Sequence, residues 1–445
     1  MLCGRLYTYF SGITRGSMKI HISTLGCKVN QYESQAVASM LRERGCEISD
    51  SADGCDVIIV NTCAVTVEAV RKSRQAIRNL SAKSPGALTV ICGCWPQTEP
   101  DNARSFGADI VFGSGDKHEL VEAVLSRRSE VNIDRAFSRK VFEPLPSGSA
   151  ENRTRALMKI EDGCVNFCSY CVIPYARGRV RSLPVEAAAE EARRLKCAGY
   201  MEIVLTGIEI ASYGADLNGR PGLVDVAESI IKAAPGVRLR LGSLEPTIIT
   251  GKFCERLSKY PELCDHFHLS LQSGCDETLK RMNRKYDTAR FFESVELLRS
   301  YFPNCGITSD LITGFPGETE AEFGRTLEFI KKCNFSQMHV FPYSRRAGTP
   351  ADSMPDQITR AEKERRAKLA SLAAAEMKRR FAASQAGKVL SVLFETVKEP
   401  GVFEGHSGNY LLVSAKGEAL RNRVCDVLIK GADGALLFGD IIDRQ

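Results

Sequence analysis

The chain has 445 residues, a length that predicts about two to four domains. Hydrophobic residues make up 44% and charged residues 26%, with no apolar run near the roughly 20 residues of a membrane-spanning helix; this composition excludes a membrane protein and predicts a soluble, cytoplasmic one. The 17 scattered cysteines favour reduced thiols and metal ligands over a secreted disulfide framework, and the net charge of +6 permits a polyanionic partner without requiring one.

Residues 1–17 lack the apolar core and the small-residue cleavage site of an export signal. We interpret them as a disordered extension and hypothesise that translation starts at Met18. Residues 18–135 alternate short β-branched runs with helical patterns, which predicts a parallel α/β domain. The strand-like runs are 19–24, 56–62 and 88–92, and the helical patterns are 31–44 and 66–82. Residues 136–153 are largely polar and contain two prolines, which predicts a linker.

Three cysteines follow the strand-like runs of this first domain: Cys27, Cys63 and Cys94. Parallel strands end at one edge of their sheet, so these residues can converge although 30 or more positions separate them in the chain. Cys92 is a competing candidate two residues before Cys94. Taken alone, such cysteines are more often packing residues, because free cysteine is among the most buried residue types.

Residues 154–384 contain six further strand-like runs, each followed by a helical pattern or a loop, and end in a helix rich in alanine and basic residues at 359–384. The runs are 156–162, 201–207, 237–243, 266–273, 306–314 and 336–344. Six βα units predict a partial, open parallel barrel whose active site lies at the C-terminal ends of its strands. Residues 385–445 contain short strands with turn signals and predict a small all-β module.

A CxxxCxxC segment, formed by Cys164, Cys168 and Cys171, directly follows the first barrel strand. Three thiolates on one loop can bind three irons of a [4Fe–4S] cluster and leave the fourth iron open. S-adenosylmethionine (SAM) can chelate that iron, and an electron from the cluster can break its sulfonium bond to give a 5′-deoxyadenosyl radical. A structural zinc site usually needs four ligands, and no fourth cysteine or histidine lies on this loop.

This motif, at the mouth of the first strand, resembles the radical SAM superfamily, and the segment GCVNFCSYCVIPYARGRVRS resembles its methylthiotransferases. The resemblance extends over nearly all of the chain after Met18 and implies that the last module is a TRAM-like one. It implies that residues at later strand ends line the cofactor pocket, although a turn or packing role suits each about as well. These residues are Thr206, Gly207, Ser243, Glu245, Gln272 and Asp310.

The resemblance also gives the first three cysteines a role. In the methylthiotransferases the corresponding positions hold a second, auxiliary [4Fe–4S] cluster that helps to deliver sulfur, which implies Cys27, Cys63 and Cys94 as its ligands. Cys92 fits that pattern less well, because it still lies inside the strand. An electron donor such as flavodoxin or ferredoxin is implied for the radical chemistry.

The segments TLGCKVNQYES, with Lys28 after the cysteine, and VIPYARGRVRS resemble the branch that modifies threonylcarbamoyladenosine in tRNA. This implies tRNA as partner and methylthiolation of C2 of the modified adenine beside the anticodon. Phosphate contacts could come from the 359–384 helix and from two basic runs, Arg177 to Arg181 and Arg281 to Lys285.

Three alternatives stay open. Residues 386–445 carry seven Lys and Arg against eight Asp and Glu, so charge does not exclude a basic protein substrate, and a ribosomal-protein aspartate is the second candidate. The chain could instead be a non-catalytic RNA-binding factor that contains a cluster. A zinc-stabilised RNA-binding protein is the remaining possibility.

Overall fold

A computed structural model describes residues 17–148 and 154–442, which form three consecutive units. The predicted extension, apart from Ser17, lies outside the described residues, as does the 149–153 part of the predicted linker. The described part of the linker packs on its neighbours: the Tyr32 hydroxyl donates to the carbonyl of Leu145, and the Glu143 carboxylate accepts from the Lys117 amide at 2.6 Å. Within the described ranges, no helix is both long enough and apolar enough to cross a bilayer.

The N-terminal unit is a six-stranded, all-parallel sheet of order β2-β1-β3-β4-β5-β6, which confirms the predicted α/β class. Every residue of β3 is buried, because helices cover both faces of the sheet. The elements are β1 Lys19–Thr24, α1 Lys28–Glu43, β2 Glu47–Ser49, β3 Val57–Thr62, α2 Val67–Lys83, β4 Leu88–Gly93, α3 Cys94–Thr98, α4 Pro100–Arg104, β5 Ile110–Phe112, α5 Lys117–Ser126 and β6 Glu130–Asn132.

The central unit is an open parallel barrel with its strands in chain order, as predicted. Its strands form two groups, β7-β10-β11 and β12-β13-β14-β15, because the third run breaks at Leu241 and Gly242. A Cβ at Gly242 would lie 2.7 Å from the Leu205 carbonyl oxygen, so only glycine allows this close approach. The elements are β7 Arg155–Lys159, β8 Glu161–Asp162, α6 Ile173–Arg177, β9 Arg181–Ser182, α7 Val185–Cys197, β10 Glu202–Thr206, α8 Leu223–Ala233, β11 Arg238–Arg240, β12 Ser243–Leu244, α9 Gly251–Leu257, β13 His266–Gln272, α10 Asp276–Arg281, α11 Thr288–Tyr301, β14 Gly306–Thr313, α12 Glu320–Cys333, β15 Gln337–Pro342 and α13 Arg360–Ala383.

The C-terminal unit is a closed five-stranded barrel of order β16-β17-β18-β20-β19, consistent with a TRAM module. The second strand, β17, is absent from the sequence prediction. The strands are β16 Val389–Glu399, β17 Val402–Ser407, β18 Leu412–Lys416, β19 Val424–Asp433 and β20 Leu436–Ile442.

Two buried arginines of β11 attach this C-terminal barrel to the central unit. The Glu202 carboxylate holds both guanidinium groups, with 2.8 Å between its Oε1 and Arg240 Nε. Arg238 donates to the carbonyls of Ser391 and His406 at 3.1 Å, and Arg240 donates to the Gly408 carbonyl at 2.8 Å. The C-terminal barrel is therefore fixed beside the strand ends of the central unit.

Candidate functional site

The CxxxCxxC loop lies between β8 and α6, at the C-terminal mouth of β7. Burial raises the pKa of the Cys164 and Cys171 thiols to about 12 each. The backbone amide of Asn166 points at Cys164 Sγ at 3.5 Å, and Arg284 Nη1 donates to Cys168 Sγ at 3.1 Å. Such N–H donors stabilise a thiolate, so the loop favours metal ions, which replace the thiol protons on binding.

Cys27, Cys63 and Cys94 lie together at the carboxyl edge of the N-terminal sheet, after β1, β3 and β4. A Cβ at Gly26 would lie 3.0 Å from Cys63 Sγ, so the loops after β1 and β3 approach each other closely. Burial, aided by the neighbouring thiols of Cys63 and Cys27, raises the pKa of Cys94 to about 12, although Arg177 opposes this shift. Three strand ends therefore form one sulfur-rich site.

Cys92 lies on the other face of the same sheet. Its side chain packs with Val37 and Leu41 beneath α1, whereas Cys94 packs with Trp95 on the opposite side. Burial raises the pKa of Cys92 to about 11, and its electrostatic neighbours are Lys117 and other charged groups rather than cysteines. The geometry separates Cys92 from the sulfur-rich site.

Neither cysteine set has the spacing of a zinc site. Thiolates on one tetrahedral zinc ion would lie roughly 3.8 Å apart, given a Zn–S bond of about 2.3 Å. Among the described residues, the one set of three potential ligand atoms all within 4.8 Å is that of Cys275, Glu277 and Glu322, where Arg281 and Arg325 already pair with the carboxylates. Wider sulfur spacing suits a cluster of several metal ions.

A cavity of about 650 Å³ lies between the three units. Cys27 and Lys28 form its N-terminal wall, and Tyr410 of the C-terminal barrel forms another. The central unit contributes four of the six predicted pocket residues, namely Thr206, Gly207, Ser243 and Asp310.

The other two predicted pocket residues do not line this cavity. The Glu245 carboxylate accepts a hydrogen bond from the Thr247 hydroxyl. Gln272 has a left-handed backbone with φ of 67°, at the point where the register between β13 and β14 shifts.

The two cysteine sets lie on elements that touch. Helix α3 begins with Cys94 and packs on α6, which begins two residues after Cys171; Val172 and Ala176 share an apolar cluster with Cys94. Arg177, at the end of α6, crosses this interface and donates to Glu33 and Asn30 of α1. The two cysteine sets therefore adjoin one buried interface between the N-terminal and central units.

Two family models match the chain: the radical SAM superfamily over residues 158–330, and the uncharacterized protein family UPF0004 over residues 19–113. The chain is 38% identical over 408 residues to the threonylcarbamoyladenosine tRNA methylthiotransferase MtaB of Thermotoga maritima, covering 91% of this chain and 92% of that one. The chain belongs to the radical SAM methylthiotransferases.

A second methylthiotransferase relative is the tRNA-2-methylthio-N(6)-dimethylallyladenosine synthase of Symbiobacterium thermophilum, 33% identical over 445 residues, which covers 96% of this chain and 94% of that one. Among solved structures, the radical SAM methyltransferase TsrM from Kitasatospora setae has a similar fold, with a TM-score of 0.53 at 16% identity over 87% of this chain and 81% of that one.

As a radical SAM methylthiotransferase, the chain is an enzyme that uses SAM and a [4Fe–4S] cluster. The CxxxCxxC loop fits such a cluster, because N–H groups donate to the thiols of Cys164 and Cys168 and no fourth thiol is present on the loop. Cys27, Cys63 and Cys94 form a second three-thiol set that could hold metal in the same way.

The structure adds Glu209 to the residues around the radical SAM loop. Burial, aided by the nearby Glu245 and opposed by Arg284, raises the pKa of Glu209 to about 7. The charge of Glu209 also raises the pKa of Cys164. A carboxylate here can accept hydrogen bonds from the ammonium group of SAM. Glu209 lies two residues after Gly207 on the same strand-end loop, a sequence signal that could have identified it.

Glycine is required at position 207, because a Cβ there would lie 2.7 Å from Glu161 Oε2. The same Glu161 oxygen accepts the Glu209 backbone amide at 2.7 Å. On β13, the imidazole of His268 hydrogen-bonds to both Thr308 and Asp310, which fixes the Asp310 carboxylate at the cavity wall.

Proposed function

We propose that this methylthiotransferase acts on tRNA and methylthiolates C2 of N6-threonylcarbamoyladenosine beside the anticodon. In this proposal Cys164, Cys168 and Cys171 hold the radical SAM cluster. An auxiliary [4Fe–4S] cluster is held by Cys27, Cys63 and Cys94. The higher identity to the threonylcarbamoyladenosine relative, 38% against 33%, supports this substrate.

The observation that carries the proposal is the shared cavity. Cys27 opens into the same cavity as Thr206, Ser243 and Asp310, so one substrate can face both the sulfur-rich site and the proposed SAM pocket. When bound, the clusters and SAM supply the electron, the carbon radical and the methylthio group. The chain's own residues position the base between them and exclude bulk water.

The contacts of the basic runs limit where RNA can bind. Arg177 and Arg181 are buried against Glu33 and Asp162, so the prediction that they contact phosphates is wrong. In α13, the buried Arg366 pairs with three glutamates. Exposed cations that remain for RNA are Arg179, Lys285, Lys368 and Arg380.

We also propose an electron donor such as flavodoxin or ferredoxin that docks beside the CxxxCxxC loop. The Phe167 ring of this loop is exposed and stacks on Phe137 at 6.0 Å, and Tyr175 lies edge-on to it at 6.0 Å. The exposed Arg179 and Lys285 would suit an acidic partner.

Cys92 and Cys94 are expected to behave differently when replaced by alanine. Cys94→Ala should lower iron from about eight to about four atoms per chain, because an auxiliary-cluster ligand is lost. Cys92→Ala should keep about eight, because Cys92 lies on the other face of the sheet. Iron and acid-labile sulfide analysis of anaerobically reconstituted protein measures both, and equal losses in the two variants would contradict this ligand set.

Mass spectrometry of tRNA nucleosides tests the substrate. A host that lacks this gene should lack 2-methylthio-N6-threonylcarbamoyladenosine, and returning the wild-type gene should restore it. A gene encoding Cys164→Ala should not restore it, because the radical SAM cluster cannot form. The Cys197→Ala gene is the matched control, since Cys197 is exposed at the end of α7.

The other results are equally informative. Appearance of a methylthiolated dimethylallyladenosine would replace the proposed substrate with that of the second relative. Unchanged tRNA together with a methylthio mass shift on a ribosomal protein would support the aspartate alternative. An intact cluster without SAM cleavage would favour the non-catalytic alternative. A colourless protein without acid-labile sulfide would favour the zinc alternative.

A further inference from the structure

A side pocket of about 460 Å³ opens beside the main cavity and shares Lys28, Gln31 and Tyr410 with it. Lys28 and Gln31 lie on the first turn of α1, directly after Cys27, and Tyr410 comes from the C-terminal barrel. The pocket therefore adjoins the point where the sulfur-rich site faces the cavity.

Three cations line this pocket, and two of them are already paired. Arg155 lies 2.8 Å from the Glu395 carboxylate, and Arg240 lies 2.8 Å from the Glu202 carboxylate. Both pairs are internal, so neither cation needs a ligand.

Lys28 is the cation without such a partner. Its ammonium group has no carboxylate within 4.0 Å and no hydrogen-bond acceptor among the residues of 17–148 and 154–442, and the side-chain amide of Gln31 is likewise unpartnered there. Lys28 is exposed to the solvent of the cavity, so its ammonium group can reach a bound ligand.

An anion placed between Lys28 and Gln31 would give both groups a partner. It would neutralise the Lys28 ammonium group, which shares the pocket with two guanidinium groups, and it would accept hydrogen bonds from the ammonium and the amide. An apolar group in the same place would remove water from the ammonium group and supply no partner, which is costly for a charged group. The pocket therefore favours a carboxylate over a hydrocarbon.

We propose that this side pocket binds the carboxylate of the substrate's N6 substituent, with Lys28 as its charged partner and Gln31 as a second donor. This inference rests on the proposed function, because the threonylcarbamoyl group ends in a carboxylate. The dimethylallyl group of the other tRNA substrate carries none. Lys28 thereby selects between the two modified adenines at the entrance to the site.

Binding of two anticodon stem-loop RNAs tests the pocket. One carries threonylcarbamoyladenosine, and the other carries its methyl ester, which has no negative charge. For the reconstituted full-length wild type, esterification should weaken binding about 10- to 100-fold, the range of a charged hydrogen bond. Lys28→Met should weaken binding of the free carboxylate by a similar factor and leave binding of the ester unchanged. Lys232→Met, an exposed lysine on α8, is the matched control.

Two further measurements keep the result unambiguous. Iron content in Lys28→Met should equal that of the wild type, which shows that the fold and the clusters are intact. Equal weakening of both RNAs in Lys28→Met, or no weakening of either, overturns the pocket assignment alone. A wild type that modifies only dimethylallyladenosine RNA overturns the proposed substrate, and the pocket assignment with it.

Discussion

A Cys164→Ala variant is expected to lose reductive cleavage of SAM by about a thousandfold or more while it keeps about four of its roughly eight irons. Cys164, Cys168 and Cys171 are the only cysteines on the loop, and no described residue nearby offers a replacement thiolate. With two protein ligands left, the radical SAM cluster should be lost, whereas the three cysteines of the auxiliary set are unchanged. Chromatographic measurement of 5′-deoxyadenosine after dithionite reduction gives the rate.

The opposite variant separates the two sulfur sites. Cys27→Ala should keep SAM cleavage but lose transfer of the methylthio group, since Cys27 faces the cavity from the N-terminal wall. Cys197→Ala should retain both activities. If Cys164→Ala still cleaved SAM at the wild-type rate, the assignment of this loop to the radical SAM cluster would be refuted.

An Arg177→Met variant is expected to lose about 3–5 kcal/mol of unfolding free energy. Arg177 is buried, contacts both Glu33 oxygens, and lies 3.3 Å from Asp162. Removing it leaves the buried Glu33 carboxylate with Lys159 as its remaining ion-pair partner among the described residues, at 3.3 Å. The interface between the N-terminal and central units should therefore open at lower denaturant concentration.

The single tryptophan of the chain, Trp95, reports on this interface, because it is buried on α3 where α6 packs. Urea unfolding of the apo-protein, followed by Trp95 fluorescence, measures the change. The exposed Arg379→Met should shift the transition little, because its pair with Glu376 is solvated. A double variant, Arg177→Met with Glu33→Gln, should recover part of the loss, since it no longer buries an unpaired charge.

The contact between Arg177 and Glu33 also makes the stability of the protein depend on pH. Burial alone would raise the pKa of Glu33, but the charges of Arg177, Lys117 and Lys159 hold it at about 2. In the wild type this lowered pKa contributes stability at neutral pH that is lost as pH falls below about 4.5 toward 2. In Arg177→Met, burial should outweigh the remaining charges, so protonation of Glu33 should make the variant more stable as pH falls from 7 toward 5. An Arg177→Met variant as stable as wild type at every pH would show that the contact is dispensable.

Much of the fold could be predicted from the sequence, because β-branched runs of five or more residues alternate with amphipathic helices. The strands β2, β5 and β6 were missed, since three residues are too few to show a period. The strand β17 interrupts its apolar residues with Glu404, Gly405 and His406, which hides the alternation.

The site was predictable at the level of strand ends but not of side-chain direction. Position at or after a strand end brought Cys27 and Thr206 to one cavity, whereas Asp310 reaches it from inside β14. The register shift in β13 turns Gln272 elsewhere. The role of Arg177 could not be read from its basic run, because its partner Glu33 is 144 residues away in the chain. Arg284 likewise contacts Cys168 only in the folded protein, because the two residues are far apart in the chain.

The cavity walls come from all three units, and this has an evolutionary consequence. Lys28, Arg240 and Tyr410 meet at one place but are encoded in three separate thirds of the gene. Recombination that exchanged one domain between branches with different substrates would bring together walls that had never been selected as a set. Substrate preference in such proteins should therefore be inherited with the whole chain, and hybrid genes should fold more often than they function.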